Sequence, residues 1–218
     1  MKIGITMRSD YIKSYNETRD QLDRRWFDLL SELSLTTVLI PNIGNKIESY
    51  IDALSLDGFI LSGGNDICPD TLNIENKSLT NCSKERDLTE LTICKYAFEN
   101  NLPVLGVCRG MQLINVFFKG RLNFGIKGHT AVEHNINFVD DKFVNIYGNG
   151  KYRVNSYHSH FISKNVLGEN LIAGSFSDDQ VIESLRHTTE KFFGIMWHPE
   201  RYDKFKKEDI KFIKNIFL

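Results

Sequence analysis

Residues 102–112 read Leu-Pro-Val-Leu-Gly-Val-Cys-Arg-Gly-Met-Gln, and the rest of the chain is interpreted around this stretch. Val104 to Val107 is an uninterrupted apolar run, which is typical of a buried strand. The apolar residues of the next ten positions are spaced as on one face of a helix, which predicts a helix from Arg109 to Phe118. The sequence therefore predicts a strand and a helix that are joined by a sharp turn at Cys108.

Cys108 lies between two glycines, Gly106 and Gly110, in the pattern Gly-x-Cys-x-Gly. The nucleophile elbow of the form Gly-x-Ser-x-Gly carries its serine on the same kind of turn, where small neighbours relieve crowding. The N-terminus of the following helix favours negative charge, and so it favours the thiolate form of a cysteine. Cys108 is therefore a candidate nucleophile. The alternative is that it is a small buried apolar side chain, as many free cysteines are.

Residues 191–200 read Lys-Phe-Phe-Gly-Ile-Met-Trp-His-Pro-Glu and supply a candidate base. Phe192 to Trp197 predicts a second buried strand. Proline favours an extended conformation for the residue before it, and side chains two positions apart in an extended chain lie on one side. We therefore expect Glu200 to orient His198, so that the imidazole can take the proton of a thiol. The alternative is a surface loop with both side chains solvated.

Together, these motifs resemble the class I glutamine amidotransferase superfamily. The stretches 106–112, Gly-Val-Cys-Arg-Gly-Met-Gln, and 61–66, Leu-Ser-Gly-Gly-Asn-Asp, are similar to its γ-glutamyl hydrolase branch, peptidase family C26. The resemblance runs from Ile3 to about Glu200, with three separated motifs in the order of the family. It implies an α/β, flavodoxin-like fold with a mostly parallel central sheet flanked by helices and antiparallel additions in the C-terminal half. Alternating strands and helices up to Phe118, followed by a run of strands, agree with that fold.

The resemblance also implies roles for further residues. In this family, two backbone N–H groups stabilise the oxyanion that forms when a thiolate attacks a carbonyl, and their positions here are Gly64 and Arg109. The glutamine at the position of Gln112 contacts the bound amino acid. A segment further along the chain binds the α-carboxylate of the glutamyl group, and it corresponds to Asn155, Ser156, Tyr157 and His158. For His158, an ordinary polar loop is the alternative.

The activity that the resemblance implies is the cysteine-dependent hydrolysis of a γ-glutamyl amide through a thioester, with no cofactor and no metal. The products are glutamate and an amine or amidate, and a nucleotide amidate would connect the protein with capsule phosphoramidate biosynthesis. A γ-glutamyl-γ-aminobutyrate hydrolase and a glutaminase subunit that feeds ammonia to a synthetase partner are alternatives. A peptidase of the related intracellular type and a non-catalytic binding protein also stay open. The intact Cys108, His198 and Glu200 argue against a non-catalytic protein.

The composition favours an ordinary globular protein with a small-molecule substrate. The chain has 218 residues with a formal net charge of −1, and we expect residues 1–218 to form a single domain. This charge argues against a nucleic-acid groove and against a membrane surface. No apolar run approaches the roughly 20 residues of a spanning helix. The N-terminus lacks the pattern of a signal peptide, which predicts a cytoplasmic location.

The four cysteines are expected to be free thiols. Cys68, Cys82, Cys94 and Cys108 contain no Cys-x-x-Cys pair, which argues against a zinc site. Because we identify no secretion signal, the sequence favours reduced cysteines over two disulfides.

Two long loops are predicted near the site. Residues 7–18 follow the first strand, at the sheet edge where open α/β folds bind ligands. Its Arg8 and Lys13 are expected to meet the leaving group, with a solvated loop as the alternative. Residues 67–81 form a second long loop and a candidate lid.

Two further elements are predicted from apolar spacing. A helix from about 83 to 100 is expected to face inward with Leu88, Leu91, Cys94 and Phe98. Its run Arg86-Asp87-x-x-Glu90 resembles one common in the hydrolase branch, and a charged helix face with local ion pairs is the alternative. Residues 143–147 are predicted as one of several short strands in the C-terminal half.

Overall fold

The computed structural model of the chain describes residues 1–75, 79 and 81–218. The strands are β1 (Lys2–Thr6), β2 (Arg8–Ile12), β3 (Glu17–Gln21), β4 (Thr36–Ile40), β5 (Gly58–Leu61), β6 (Val104–Val107), β7 (Asn123–Phe124), β8 (Thr130–Phe138), β9 (Lys151–Tyr157), β10 (His160–Phe161), β11 (Leu171–Ser177), β12 (Ile182–His187) and β13 (Phe192–Ile195). The helices are α1 (Arg25–Glu32), α2 (Ile47–Leu54), α3 (Pro69–Leu72), α4 (Lys84–Glu99), α5 (Arg109–Phe117), α6 (Asp141–Tyr147) and α7 (Lys207–Phe217).

A mixed sheet runs through the described residues in the order β4-β1-β5-β6-β13-β12-β11-β8-β9. The first five strands in this order are parallel, and the remaining pairs are antiparallel. Every residue of β5 and β6 is buried, as expected for parallel strands in the middle of a sheet that has both faces covered. Helices flank the sheet, so the flavodoxin-like α/β fold and its antiparallel C-terminal additions are confirmed.

The parallel strands bring distant parts of the sequence to one edge of the sheet. Strands β1, β5, β6 and β13 all point the same way, so their carboxyl ends lie at the same edge. The residues that follow these ends are Arg8, Gly63, Cys108 and His198. The strand order alone therefore places the candidate residues close together at this edge of the sheet.

The segment after β1 is a hairpin rather than the predicted loop. Strands β2 and β3 pair antiparallel, with Arg8 opposite Gln21 and Ile12 opposite Glu17. Most of their side chains are polar and exposed, so the segment carries no apolar alternation from which a strand could be predicted. The two strands form because their backbones are hydrogen-bonded to each other.

The prediction of a strand at residues 143–147 is wrong, because these residues belong to α6. The side chain of Asp140 accepts a hydrogen bond from the Lys142 amide at 3.1 Å and caps this helix. Phe143 and Tyr147 lie one helical turn apart, and both rings pack against Phe212 of α7. A short apolar run is compatible with the periodicity of a strand and with that of a helix. Here, tertiary packing favours the helix.

Helix α4 is present where it was predicted, and Cys94 and Leu91 face the core as expected, but the prediction is wrong for Leu88 and Phe98. Leu88 and Phe98 are 46% and 44% exposed. The buried residues of the helix include Arg86, Asp87 and Glu90, which are at most 1% exposed. Charged side chains are almost never fully buried unless they are paired, so the apolar pattern was a misleading guide here.

The expectation of four free thiols is also wrong, because Cys68 and Cys82 form a disulfide. The Asp66 amide donates to the Asn81 carbonyl at 2.8 Å, which closes the segment and brings the two Cα atoms to 5.2 Å. That separation lies within the range that a disulfide spans. Cys94 and Cys108 are free. Sequence spacing alone does not reveal such a closure.

The candidate lid at residues 67–81 is only partly described. The short helix α3 lies within it, whereas residues 76–78 and 80 lie outside the described residues. Among the described helices, we find none with the length and apolar character required to cross a membrane.

Candidate active site

Cys108 occupies a strained turn at the end of β6. Its φ of 53° and ψ of −104° are uncommon for a residue with a side chain, and such strain is often found at functional sites. A Cβ atom on Gly106 would lie 2.4 Å from the backbone of Gly110, and one on Gly110 would lie 2.0 Å from the Leu61 carbonyl oxygen. Both glycines are therefore required by close backbone contacts, as the elbow pattern predicted.

His198 lies beside Cys108 although 90 residues separate them in the sequence. A Cβ atom on Gly63 would lie 2.6 Å from His198 Cε1 and 3.6 Å from Cys108 Cβ, so both side chains border the same small space. Cys108 is 8% exposed, and His198 is 2% exposed. The structure thus brings a buried thiol and a buried imidazole together.

Glu200 pairs with His198, through a turn that differs from the predicted extended segment. Glu200 Oε1 lies 2.7 Å from His198 Nδ1. Pro199 to Arg201 form one turn of 3₁₀ helix, and this turn brings the carboxylate back to the ring. The predicted contact between His198 and Glu200 is present, but the extended conformation from which it was inferred does not continue beyond His198.

The charge state of His198 follows from its surroundings. Burial of the ring lowers its pKa, but the negative charges of Glu200 and Cys108 and their hydrogen bonds raise it, and the resulting pKa is about 9. His198 is therefore protonated at neutral pH. A protonated imidazole beside a thiol favours the thiolate, which is the reactive form of cysteine.

Asn155 holds His198 in place through two backbone contacts. Its side-chain oxygen accepts a hydrogen bond from the His198 amide at 2.8 Å, and its side-chain nitrogen donates to the His198 carbonyl at 2.9 Å. Ser156 is fully buried and donates to the His129 carbonyl at 2.6 Å. The side chains of Asn155 and Ser156 are thus engaged within the protein, whereas Tyr157 is 43% exposed with its ring edge-on to His198.

Gln112 and His158 were both predicted to contact substrate. Gln112 Nε2 donates to the His160 carbonyl at 3.1 Å, so its amide lies against the segment after β9. His158 is 4% exposed, and its Nδ1 lies 2.9 Å from the same carbonyl. Its Nε2 lies 3.2 Å from His129 Nδ1 and 3.5 Å from Glu183 Oε1, so both ring nitrogens have partners within the protein.

The two predicted oxyanion donors are the amides of Gly64 and Arg109. Gly64 has a φ of 112°, which favours glycine, and Arg109 is the first residue of α5. Within the described residues we find no acceptor for either amide. The first amides of a helix have no intrahelical partner, so the Arg109 N–H is available to a ligand.

A buried ion-pair network, which the sequence did not reveal, connects these two backbone segments. The Arg109 guanidinium forms ion pairs with Asp87 and Glu90 of α4. Arg86 Nε lies 2.9 Å from Glu90 Oε1, and Arg86 Nη2 donates to the carbonyls of Ser62 and Gly63 at 2.7 and 3.0 Å. Burial raises the pKa of Glu90, but the two arginines outweigh this effect and lower it. The network holds the glycine turn and the elbow against the same helix.

A cleft of about 260 Å³ opens beside His198. Gly63, Gly64, His198 and Glu200 form one side of it. The remaining lining residues are Arg8, Gln21, Leu22, Asp23, Trp26, Ser62 and Arg201. Arg8 therefore reaches the cleft as predicted, whereas Lys13, at the tip of the hairpin, is not among the lining residues. Trp26 and Arg201 were missed, because nothing in their local sequence distinguishes them from core and surface residues.

A second cluster of titratable side chains lies outside this cleft. His129, His134 and Glu183 come together with His158 around one point. The sequence contains no short motif that unites them, because they come from separate strands.

The chain is similar to known proteins over most of its length. The sequence pattern of the family described as Peptidase C26 matches residues 2–200. A gamma-glutamyl-CDP-amidate hydrolase of Campylobacter jejuni is 34% identical over 202 residues, which cover 92% of this chain and 90% of that protein. A glutamine-hydrolyzing GMP synthase subunit from Methanosarcina acetivorans is 30% identical over 170 residues, which cover 78% of this chain and 76% of that protein.

The backbone is similar to a solved structure from Thermoplasma acidophilum, described as a candidate subunit of GMP synthase. The TM-score is 0.70 at 22% identity, and the match covers 99% of this chain and 92% of the other. At this level of identity, the similarity establishes the fold alone.

Proposed function

Because the chain belongs to the Peptidase C26 family of glutamine-amidotransferase-like amide hydrolases, we propose that it is a cysteine-dependent γ-glutamyl amide hydrolase. The observation that carries this proposal is Cys108 on a strained elbow beside His198, whose Nδ1 lies 2.7 Å from Glu200. A nucleophile, a base and a group that orients the base are the three parts that this chemistry requires. We further propose that residues 1–218 form one domain, which one continuous sheet supports.

In the proposed reaction, the Cys108 thiolate attacks the γ-carbonyl carbon of the glutamyl group. The amides of Gly64 and Arg109 donate to the oxygen that becomes negative. His198 gives its proton to the departing nitrogen while Glu200 stabilises the charged ring. The resulting γ-glutamyl thioester is hydrolysed by a water molecule from which His198 takes a proton, and glutamate leaves.

The cleft supports an anionic leaving group. His198 and Gly64 line it, so a nitrogen that leaves from the reacting carbon would enter it directly. Two guanidinium groups, Arg8 and Arg201, line its walls, and Arg8 is also paired with Asp10 at 2.9 Å. Guanidinium groups bind phosphate oxygens well. These residues favour a γ-glutamyl nucleotide amidate.

The relative from Campylobacter jejuni carries such a substrate in its name, gamma-glutamyl-CDP-amidate, and we propose this compound for the present chain. A simple γ-glutamyl amine such as γ-glutamyl-γ-aminobutyrate is the alternative, and it carries no phosphate for the two arginines to bind. A glutaminase role with a synthetase partner is a second alternative, favoured by the similarity to a GMP synthase subunit.

The proposal is tested by measuring glutamate release from a panel of γ-glutamyl compounds: γ-glutamyl-CDP-amidate, γ-glutamyl-γ-aminobutyrate and glutamine. We expect the nucleotide amidate to have the highest kcat/KM. Cys108→Ala should lower the rate by several orders of magnitude while the protein stays folded, because the covalent nucleophile is lost. Near-normal turnover by folded Cys108→Ala would disprove the mechanism. A preference for glutamine that appears only with an added synthetase would favour the glutaminase role.

The leaving-group assignment is tested separately with two variants of the hairpin, Arg8→Ala and Lys13→Ala. Each removes one positive charge, but only Arg8 lines the cleft, so Lys13→Ala is the matched control. We expect Arg8→Ala to lower kcat/KM for the nucleotide amidate about 10- to 100-fold, since a charge-assisted hydrogen bond contributes about 1.5–3 kcal/mol. Activity on simple γ-glutamyl amines should persist in both variants. Equal losses in the two variants would exclude a specific role for Arg8.

A further inference from the structure

Three histidines that do not line the cleft beside His198 converge on one buried carboxylate. His129 precedes β8, His134 lies in β8, His158 follows β9, and Glu183 lies in β12. Glu183 Oε1 lies 3.4 Å from His129 Nδ1, 3.4 Å from His134 Nε2 and 3.5 Å from His158 Nε2. Polar atoms of four side chains, from three separated parts of the sequence, thus lie close together.

These contacts do not satisfy the carboxylate. Glu183 is completely buried, and neither of its oxygens has a hydrogen-bond partner among the described residues. His134 Nε2 is equally without one. Distances of 3.4–3.5 Å are too long and too poorly aligned for good hydrogen bonds. A fully buried carboxylate without close partners is costly, and it calls for an explanation such as a bound ion.

The spacing of the polar atoms fits a tetrahedral metal ion. With metal–ligand bonds of about 2.0–2.1 Å, two ligands of a tetrahedral zinc ion lie about 3.3–3.4 Å apart. Glu183 Oε1 is 3.4 Å from each of two histidine nitrogens, and the coordinating atoms of His129, His134 and Glu183 all lie within 4.8 Å of one another. His158 Nε2 lies 3.2 Å from His129 Nδ1 and 3.5 Å from Glu183 Oε1, so it would supply a third nitrogen as the fourth ligand.

The outer contacts of the histidines match those of metal ligands. A ligating histidine usually donates its other ring N–H to a carboxylate or a backbone carbonyl, which fixes the tautomer. His129 Nε2 lies 3.0 Å from Asp179 Oδ2, and His158 Nδ1 lies 2.9 Å from the His160 carbonyl. If both rings donate through these outer nitrogens, His129 Nδ1 and His158 Nε2, which lie 3.2 Å apart, can each direct a lone pair at a shared ion.

From these observations we propose that His129, His134 and Glu183, with His158 beside them, bind a divalent cation of the zinc type. Imidazole nitrogens favour Zn²⁺ over Mg²⁺ or Ca²⁺, which prefer oxygen ligands. The absence of a Cys-x-x-Cys pair does not exclude this site, since it uses no thiol.

The role of the ion is structural rather than catalytic. Ser156 and His158 anchor the end of β9 to the His129 carbonyl, and Asn155 in the same strand holds His198. A cation bound at this cluster would fasten β8, β9 and β12 together behind the wall of the active site. The ion itself takes no part in the attack on the substrate.

The experiment uses full-length protein without a histidine tag, in a Cys108→Ser background so that the active-site thiol cannot bind metal. The protein is treated with a chelator and then titrated with Zn²⁺ and with Co²⁺, whose visible spectrum reports coordination geometry. We expect one equivalent to bind, a tetrahedral cobalt spectrum and a rise in Tm with added Zn²⁺. His134→Ala and Glu183→Gln should each weaken binding at least about 100-fold, since each removes a ligand.

His187→Ala is the matched control. His187 is a buried histidine in the same strand as Glu183, and its Nδ1 accepts backbone hydrogen bonds from Thr189 and Glu190. It should bind the ion as the background protein does. Asp179→Asn, at a half-exposed position, should weaken binding about 10-fold through His129, and it keeps the test valid if Glu183→Gln does not fold. No stoichiometric binding by the folded chain, or equal binding by His134→Ala, would overturn the proposal.

Discussion

At the scale of single residues, the candidate site depends on the protonation of His198. The ring is buried, and its pKa of about 9 results from Glu200 and Cys108 outweighing the effect of burial. The folded state therefore holds this proton more tightly than an unfolded chain, in which a histidine has a pKa near 6.5. The stability gained in this way is complete below about pH 6.5 and is lost as the pH rises through 9.

We expect kcat/KM to fall on the alkaline side with a pKa near 9, because His198 then has no proton for the leaving nitrogen. Glu200→Gln should move this limb to lower pH and reduce activity moderately, since the amide orients the ring but does not stabilise its charge. His198→Asn should be nearly as damaging as the loss of Cys108. The measurement is the pH profile of kcat/KM between pH 6 and 10. An unchanged alkaline limb in Glu200→Gln would contradict this account of His198.

At the scale of elements, the elbow depends on how closely α5 approaches β5. Gly110, in the first turn of α5, lies so close to β5 that a Cβ atom would be 2.0 Å from the Leu61 carbonyl oxygen. This approach places the first amide of α5 next to the Gly63-Gly64 turn that follows β5. The buried pairs between Arg109 and α4 hold the helix in that position.

Gly110→Ala should destabilise the protein by more than about 2 kcal/mol and abolish activity, because the methyl group forces α5 away from β5. Gly128→Ala is the control: its φ is 82°, but nothing lies within 4 Å of the added atom. It should cost only about 1 kcal/mol, since the strain is conformational. Urea unfolding of the two variants measures the difference. Similar losses in both would show that crowding at α5 is not the reason for Gly110.

At the scale of the whole molecule, Asp209 in the first turn of α7 connects three separated parts of the chain. Its Oδ1 accepts hydrogen bonds from the Trp197 indole at 3.1 Å and from the Tyr147 hydroxyl at 2.9 Å. Asp209 Oδ2 has no partner among the described residues. Burial raises the pKa of Asp209 to about 6, although both hydrogen bonds lower it.

Because the pKa of Asp209 is higher in the folded chain than in the unfolded one, folding takes up a proton between about pH 4 and 6. The free energy of unfolding should therefore decrease as the pH rises through that range. Asp209→Asn keeps an acceptor oxygen and removes the charge, so it should stabilise the protein at pH 8 by up to about 3 kcal/mol and have little effect at pH 4. Glu208→Gln, at the preceding and less buried position, controls for net charge. A wild type as stable as Asp209→Asn at pH 8 would refute the argument.

The strands and helices that position the proposed catalytic residues could be predicted from the sequence alone. The elbow at Cys108 and the pair of His198 and Glu200 were predicted from local patterns, because a sharp turn and an X-Pro segment require particular neighbouring residues. The role of Gly64 was expected from the family resemblance. The parallel α/β order could also be predicted, since alternating apolar segments permit few topologies. These patterns were sufficient for prediction because each lies within a few consecutive residues.

Tertiary packing determines which polar side chains are buried and what they contact. The charged face of α4, the disulfide between Cys68 and Cys82 and the cluster around Glu183 all join residues that are distant in sequence. A buried charge is stabilised by partners from other elements, and no local pattern encodes those partners. The family resemblance predicted a substrate contact for Asn155, and the structure adds that its side chain is hydrogen-bonded to the backbone of His198.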